Sequence, residues 1–262
     1  KQLSRNAMAR VVDVLNDYQD LITSCFPSVI ESIKVTATSA VRDAKNRNEF
    51  VSRVYSETGL HVDVLSGIEE ARCTYLGALS MLSDVPKFQQ VVIDIGGGST
   101  EVAVGNDGTL QDRYSYDMGC VRFTERFLHE DPPMPSDIDN CRRAIRRSLQ
   151  EYEFELSDNA FLTGVAGTVT SLAFIDKALS SYDSNKLADH ILTQDTIRHY
   201  IDKTQRWTSA ELIQKYPAVM EGRADIFLAG LLILEEFMAR YDFSELIVST
   251  GGIRHGVLVG SN

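Results

Sequence analysis

Apolar positions in LSRNAMARVVDVLNDYQDLI recur at Ala7, Val11, Val14, Leu15, Tyr18 and Ile22, close to helical spacing. This predicts an amphipathic helix from Ser4 to about Ile22. The pattern then changes. IKVTATS, Ile33 to Ser39, is β-branched and predicts a strand, and AVRDAKNRNEFVSRVYSETG returns to helical spacing and stops at Gly59. HVDVLS and GIEEARCTYLGALSML repeat the strand–helix unit once. Strands that alternate with helices imply an α/β sheet with parallel pairs.

SDVPKFQQ, Ser83 to Gln90, carries the proline and polar residues of a connection, which predicts a first domain over 1–88 and a second α/β domain with a helical insert over 89–262. The second part opens with VVIDIGGGSTEVAVG, two apolar strands joined by a glycine bend. NDG then reads as a hairpin turn, strand continues to Tyr116, and a mostly helical region runs from about Ser136. Within that region, two further apolar strands each run into a glycine turn.

Composition narrows the function classes. Hydrophobic residues at 44% and charged residues at 24% describe an ordinary globular chain, and no apolar run has the length of a membrane helix. Cys25, Cys73, Cys120 and Cys141 are scattered without a C-x-x-C pair, and KQLSRNAMAR lacks the apolar core of a secretory signal. A cytoplasmic chain with reduced thiols is expected. Twenty-six Lys and Arg against 37 Asp and Glu leave a formal charge of −11, which argues against a nucleic-acid binder. A polyanion ligand then requires the basic residues to be gathered in one place.

Three glycine turns carry the candidate chemistry. Gly96, Gly97, Gly98, Ser99 and Thr100 form the bend of the first. A Walker A loop would need a Gly-Lys-Ser/Thr ending and a following helix, and G-x-G-x-x-G fails because Glu101 stands where the third glycine should be. Glycines lack Cβ, so backbone N–H groups can converge on an anion that approaches closely, and Asp94 at the strand end offers a carboxylate to hydrated Mg2+. A tight hairpin with a satisfied aspartate is the alternative. In FLTGVAGTVTSLAFI a strand meets Gly164 and Gly167, and Thr168 opens a helical pattern; close helix–strand packing would also explain those small residues. In ELIVSTGGIRHGVL a strand meets Thr250, Gly251 and Gly252. Three such turns in one chain favour a shared phosphate-bearing ligand.

The segments TATSAVRDAKNRNEF, VLSGIEEAR, VIDIGGGSTE, GVAGTVTSLA, GRADIFLAGLLIL and STGGIRHGVL, in this order, resemble the exopolyphosphatase and guanosine pentaphosphate phosphohydrolase (Ppx/GppA) family. That family belongs to the actin, Hsp70 and sugar-kinase superfold. The resemblance implies two ribonuclease-H-like α/β domains facing a cleft, in the short two-domain form. It also implies an N-terminal hairpin with a phosphate loop, downstream of which the given sequence starts, so the first domain is expected to be incomplete.

The implied function is Mg2+-dependent hydrolysis of the terminal phosphate of inorganic polyphosphate or guanosine pentaphosphate, with no nucleic-acid or membrane partner and with a homodimer allowed for. A glutamate of EEAR matches the family's base. Glu70 is preferred and Glu69 is the alternate, because helical neighbours point about 100° apart. Asp94 matches the family's metal carboxylate, and Gly96, Gly97, Gly98 and Ser99 its second phosphate loop. Gly167 and Thr168 resemble a further loop, and Gly251 and Gly252 the last. Arg42 is expected near phosphate, with an ion pair to Asp43 or a nearby acid as the alternative. His255 stands where the family commonly has glutamate and reads as a helix-surface substitution. RRAIRRS, Arg142 to Ser148, reads as a solvated helix face. Competing functions are an ATP-dependent phosphotransferase of the same superfold and a non-catalytic sensor of polyphosphate or the alarmone.

Overall fold

The computed structural model of the protein describes residues 2–26, 30, 32–85 and 87–260. The chain forms two compact units, Lys1–Glu70 and Ala71–Asn262. Pro86, part of the expected connection, lies outside the described residues.

In the first unit, helix α1 (Arg5–Cys25) is capped by Ser4, whose Oγ accepts the Ala7 N–H at 3.1 Å. Strand β1 (Val35–Ala37), helices α2 (Ser39–Arg42) and α3 (Arg47–Thr58), and strand β2 (Val62–Val64) follow. β1 and β2 pair in parallel with Val35 opposite Val62. The expected single helix from Ala40 to Gly59 is therefore two. Asn46 explains the break: its Oδ1 accepts the Leu3 N–H at 2.9 Å and its Nδ2 donates to the Leu3 carbonyl at 3.0 Å, tying the junction to the start of the chain. The helix ends where expected, at Gly59 with φ of 72°, a left-handed cap that glycine supplies without a Cβ clash. Met8, Val12, Phe50 and Val54 form this unit's core.

Helix α4 (Gly67–Ser80) begins in the first unit, and from Ala71 onward belongs to the second, ahead of the expected division at 88/89. Tyr75, Ala78 and Leu79 account for that: they pack on Val92, Ala103 and Val165 of the second unit's sheet.

The second unit contains β3 (Gln90–Ile95), β4 (Thr100–Asn106), β5 (Thr109–Tyr116), α5 (Cys120–Phe127), α6 (Pro135–Leu149), β6 (Phe161–Val165) and α7 (Ala166–Asp176). It continues with α8 (Ser184–Leu187), β7 (Ile191–Thr193), α9 (Gln194–Thr204), α10 (Ser209–Lys215), α11 (Pro217–Met220), α12 (Ala224–Arg240), β8 (Glu245–Val248) and α13 (Ile253–Val259). The sheet order is β5-β4-β3-β6-β8-β7. β3, β4 and β5 form an antiparallel meander, β3, β6 and β8 run parallel, and β7 closes the edge antiparallel to β8. The first five strands of this order are the ribonuclease-H-like arrangement, and the fold class is α/β.

β3 is buried on both faces, which is why it reads as a continuous apolar run. Val91, Ile93 and Ile95 join the main core with α6, α7 and α12, while Val92 faces α4. β7 went unseen in the sequence because three residues are too few to show a period. The four cysteines are free thiols, and no helix among the described residues is long and apolar enough to cross a membrane.

Candidate active site

Parallel strands that neighbour one another release their following turns at the same edge of the sheet, where α/β proteins place ligands. β3, β6 and β8 are such neighbours: Asp94 stands opposite Val165, and Gly164 opposite Val248. The three glycine turns consequently converge. A cavity of about 450 Å³ is walled by Asp94 from the first, Ala166 and Gly167 from the second, and Thr250, Gly251 and Gly252 from the third. Glu221, Arg223, Arg254 and His255 add charge or titratable groups to its lining. The Thr250 Oγ1 is buried and has no hydrogen-bond partner among the described residues.

The first turn is closed by the Gly96 N–H donating to the Ser99 carbonyl at 2.9 Å. Its carbonyls are taken up by α5: the Cys120 N–H donates to Gly96 O at 2.9 Å and the Arg122 N–H to Gly97 O at 3.0 Å. Among the described residues, the N–H groups of Gly97, Gly98 and Ser99 have no acceptor. None of the three glycines has positive φ, so close approach rather than left-handed backbone is what demands glycine here. That demand is sharpest at Gly119, where a Cβ would lie 2.5 Å from the Gly97 carbonyl carbon and oxygen. Sequence reasoning passed over Gly119 because it stands alone in YDMGCV.

In the second turn the residue with left-handed backbone is Ala166, at φ of 65°, on the cavity wall. Such strain is found where a site over-determines its backbone. Gly167 makes room for Arg223: a Cβ there would meet Arg223 Nη1 at 2.1 Å. The Arg223 Nη1 donates to Ser171 Oγ at 3.2 Å. Arg223 also lines a second cavity of about 280 Å³ that takes in Gly96, Gly97 and Cys120. It lies in the GRADIF segment and was not singled out, since one arginine in a helical run carries no pattern. Burial raises the Cys120 thiol above its usual range, which keeps it protonated. Thr168 lines only this second cavity, and its side chain packs against Gly230 of α12.

In the third turn the two glycines differ. A Cβ on Gly251 would come within 1.9 Å of the Gly77 carbonyl oxygen of α4, so packing alone requires glycine there. Gly252 faces open space. His255 corrects the expectation of a surface position: it is half-buried and lines the cavity.

The two glutamates of EEAR have different partners. The Ser66 N–H donates to Glu69 Oε2 at 2.9 Å, and the Glu69 N–H donates to Ser66 Oγ at 3.2 Å, a reciprocal capping box at the start of α4. The Ser66 backbone N–H, aided by the Ser66 hydroxyl, holds the Glu69 carboxyl below its ordinary range. The S-x-x-E spacing was available in the sequence as a capping signal. Glu70 instead accepts from Arg42 Nη1 at 2.7 Å, and the same nitrogen donates to the Leu65 carbonyl at 2.8 Å. Arg42 thus makes an ion pair with Glu70, while Asp43 lies farther off at 3.8 Å.

The basic run RRAIRRS also departs from a uniformly solvated face. Arg142 pairs with Glu235 and Glu236 of α12, and Arg146 Nε lies 2.6 Å from Glu236 Oε2. Burial alone would lower the Arg142 guanidinium, but its two carboxylate partners outweigh that and raise it.

No group of three or more His, Cys, Asp and Glu that could hold a metal exists among the described residues. Mg2+ commonly needs only one or two carboxylates, completing its shell with water and substrate phosphate. Asp94 on the wall of an open polar cavity fits that mode, and a fully protein-ligated ion does not.

The profile of the Ppx/GppA phosphatase family matches residues 1–262. The chain is 32% identical over 271 residues to Exopolyphosphatase 2 of Mycobacterium tuberculosis, covering 96% of this chain and 80% of that protein. It is 30% identical over 265 residues to a bifunctional 3-dehydroquinate synthase/phosphatase of Fusobacterium nucleatum, covering 98% of this chain and 39% of the other. The crystal structure of an Aquifex aeolicus Ppx/GppA family member superposes with a TM-score of 0.88 at 32% identity, over 99% of this chain and 82% of that one. With its sheet order, its converging glycine turns and these relatives in agreement, the chain belongs to the Ppx/GppA phosphatase family.

Proposed function

We propose that the protein hydrolyses the terminal phosphate of inorganic polyphosphate and that Mg2+ is required. The observation that carries this reading is the first glycine turn: the N–H groups of Gly97, Gly98 and Ser99 have no acceptor among the described residues, Gly96 and Gly97 line the smaller cavity, and Asp94 just before the turn lines the larger one. Backbone amides left unpaired in a glycine turn are donors for phosphoryl oxygens, and such donors are the chief means of stabilising phosphoryl transfer. That the Mycobacterium tuberculosis relative is named Exopolyphosphatase 2 supports polyphosphate as the substrate class.

In this reading Glu70 orients the attacking water and takes its proton, and Arg42 holds the Glu70 carboxylate in one rotamer. The amides of the first turn and the Arg223 guanidinium hold the terminal phosphoryl group. Gly167 and Gly252 let the substrate approach the backbone. When bound at Asp94, Mg2+ would neutralise charge gathering on the phosphoryl oxygens.

Guanosine pentaphosphate is the second substrate to consider. Tyr182, Ala218, Val219 and Ile253 give the larger cavity an apolar side against which a base could lie. Orthophosphate release from long polyphosphate, short polyphosphate and guanosine pentaphosphate, measured in parallel with and without Mg2+, tests both. Release that needs no added acceptor excludes the phosphotransferase, and binding without release identifies a sensor.

A further inference from the structure

The run RRAIRRS is divided by helical geometry. Arg142 and Arg146, four residues apart, carry the ion pairs to α12. Arg143 and Arg147, also four apart and about 100° further round α6, line a different feature. This is a groove of about 510 Å³ walled by α5 and α6, to which α5 contributes Arg126.

All three arginines are exposed, and none has a carboxylate oxygen within 4.0 Å among the described residues. Arg143 Nη2 donates to Asn140 Oδ1, and the Arg126 guanidinium lies 5.2 Å from the centre of the Phe127 ring. Asp137 and Glu151 also line the groove, so the three arginines are in excess. On a chain with a formal charge of −11, three arginines without a carboxylate partner gathered in one groove make a local positive patch.

Helix α5 links the groove to the proposed phosphate site: its first residue, Cys120, lines the smaller cavity, and Arg126 near its end lines the groove. The Arg122 N–H donates to the Gly97 carbonyl, and the Arg122 Nη2 would lie 3.7 Å from a Cβ on Gly98. Arg126 follows Arg122 by one turn on the same face, about 6 Å along the helix.

We propose that Arg126, Arg143 and Arg147 form a second anion site, which holds distal phosphates of a linear polyphosphate whose terminal phosphate lies at Gly97–Ser99. The inference rests on the polyphosphate reading and gives it a chain-length preference. Arg122 is itself paired with Asp117 at 2.9 Å, so the unpaired cations a flexible chain with an anion at every repeat can meet in turn are Arg126 and the α6 pair, which a compact nucleotide cannot span. Single-stranded nucleic acid would also need aromatic platforms for its bases. Phe123 is buried and Arg126 lies over the Phe127 ring, so the groove offers no open ring face among the described residues.

The test compares wild-type protein with the triple variant R126Q/R143Q/R147Q. Binding and steady-state hydrolysis are measured over a range of salt, using long inorganic polyphosphate and tripolyphosphate. Long-chain Kd and KM should rise about tenfold in the variant and the log–log salt slope should become shallower by about two, because three phosphate contacts no longer shed counterions. The tripolyphosphate constants, kcat and Tm should stay at wild-type values. An unchanged long-chain Kd and salt slope overturns the proposal, as does absence of long-chain binding to wild-type protein. Displacement of polyphosphate by oligo-dT from wild type but not from the variant assigns the groove to nucleic acid and overturns it equally. If neither polyphosphate is hydrolysed, the catalytic reading fails by itself, and the binding arm still decides the groove.

Discussion

Arg42 Nη1 lies 2.7 Å from Glu70 Oε2 and 2.8 Å from the Leu65 carbonyl, so one nitrogen ties the carboxylate to the backbone at the end of β2. Both side chains are partly shielded, at 27% and 19% exposure, so the pair is screened less than a surface contact. If Glu70 is the base, Arg42 is its positioning residue. Arg42→Ala should lower kcat about 10- to 100-fold through a misplaced base, with a smaller change in KM. Arg42→Lys should recover part of the loss. A raised KM at unchanged kcat would make Arg42 a phosphate contact instead.

The capping box gives Glu69 a different prediction. Its carboxyl is depressed below the ordinary range, so its stabilising effect is present above the unfolded value and is lost as pH falls through the folded one. Glu69→Ala should therefore lower Tm at pH 7, and the gap to wild type should close in acid. Turnover should be unaffected. A large loss of turnover at unchanged Tm would transfer the base role to Glu69.

Gly119 is predicted to be the most sensitive glycine near the first turn. Gly119→Ala places a Cβ 2.5 Å from the Gly97 carbonyl, an overlap of backbone that should cost about 1–3 kcal/mol and displace the turn. Gly98→Ala meets nothing nearer than Arg122 Nη2 at 3.7 Å and should fold like wild type. Thermal melts and polyphosphate KM for the two variants check this. Equal behaviour would show that the packing of α5 on the turn does not shape the site.

The Arg142 cluster predicts a stability effect without a catalytic one. Glu236 and Glu235 have side chains only 6% and 12% exposed; Arg142→Ala leaves Glu236 with Arg146 and Glu235 with only Arg198 at 3.5 Å. With those partners remaining, the cost should be about 1–2 kcal/mol, or roughly 2–6 °C in Tm. Arg143→Ala, one residue on, should leave Tm unchanged. Melting curves decide between a structural pair and a dispensable one.

Much of this was legible in the residues, and the exceptions have physical causes. VVIDI, FLTGV and ELIV announce buried strands, and glycines after each announce turns; the parallel pairing of β3, β6 and β8 then brings those turns together. Composition cannot say which glycine serves a ligand and which serves packing. Gly251 is held by Gly77 and Gly167 by Arg223, contacts between residues distant in sequence. Arg223, Gly119 and Ala166 escaped notice for the same reason. The break in the helix before Arg47 depends on Asn46 meeting Leu3, which no local pattern encodes. The family resemblance supplied a role for Glu70 that spacing alone would not have assigned, whereas Asp94 at the end of an apolar strand beside three glycines was readable without it.

Asp94→Asn should raise the Mg2+ concentration needed for half-maximal turnover, since the hard cation prefers a carboxylate oxygen. Wild-type Mg2+ dependence in that variant would remove Asp94 from the metal site.

Orthophosphate release from inorganic polyphosphate by wild-type protein and by Glu70→Gln decides whether the protein hydrolyses polyphosphate with Glu70 as base. Wild type should release orthophosphate, and kcat should fall by about two to four orders of magnitude in the variant at nearly unchanged KM. Wild-type turnover by Glu70→Gln, or no orthophosphate from the wild-type protein, would contradict this reading.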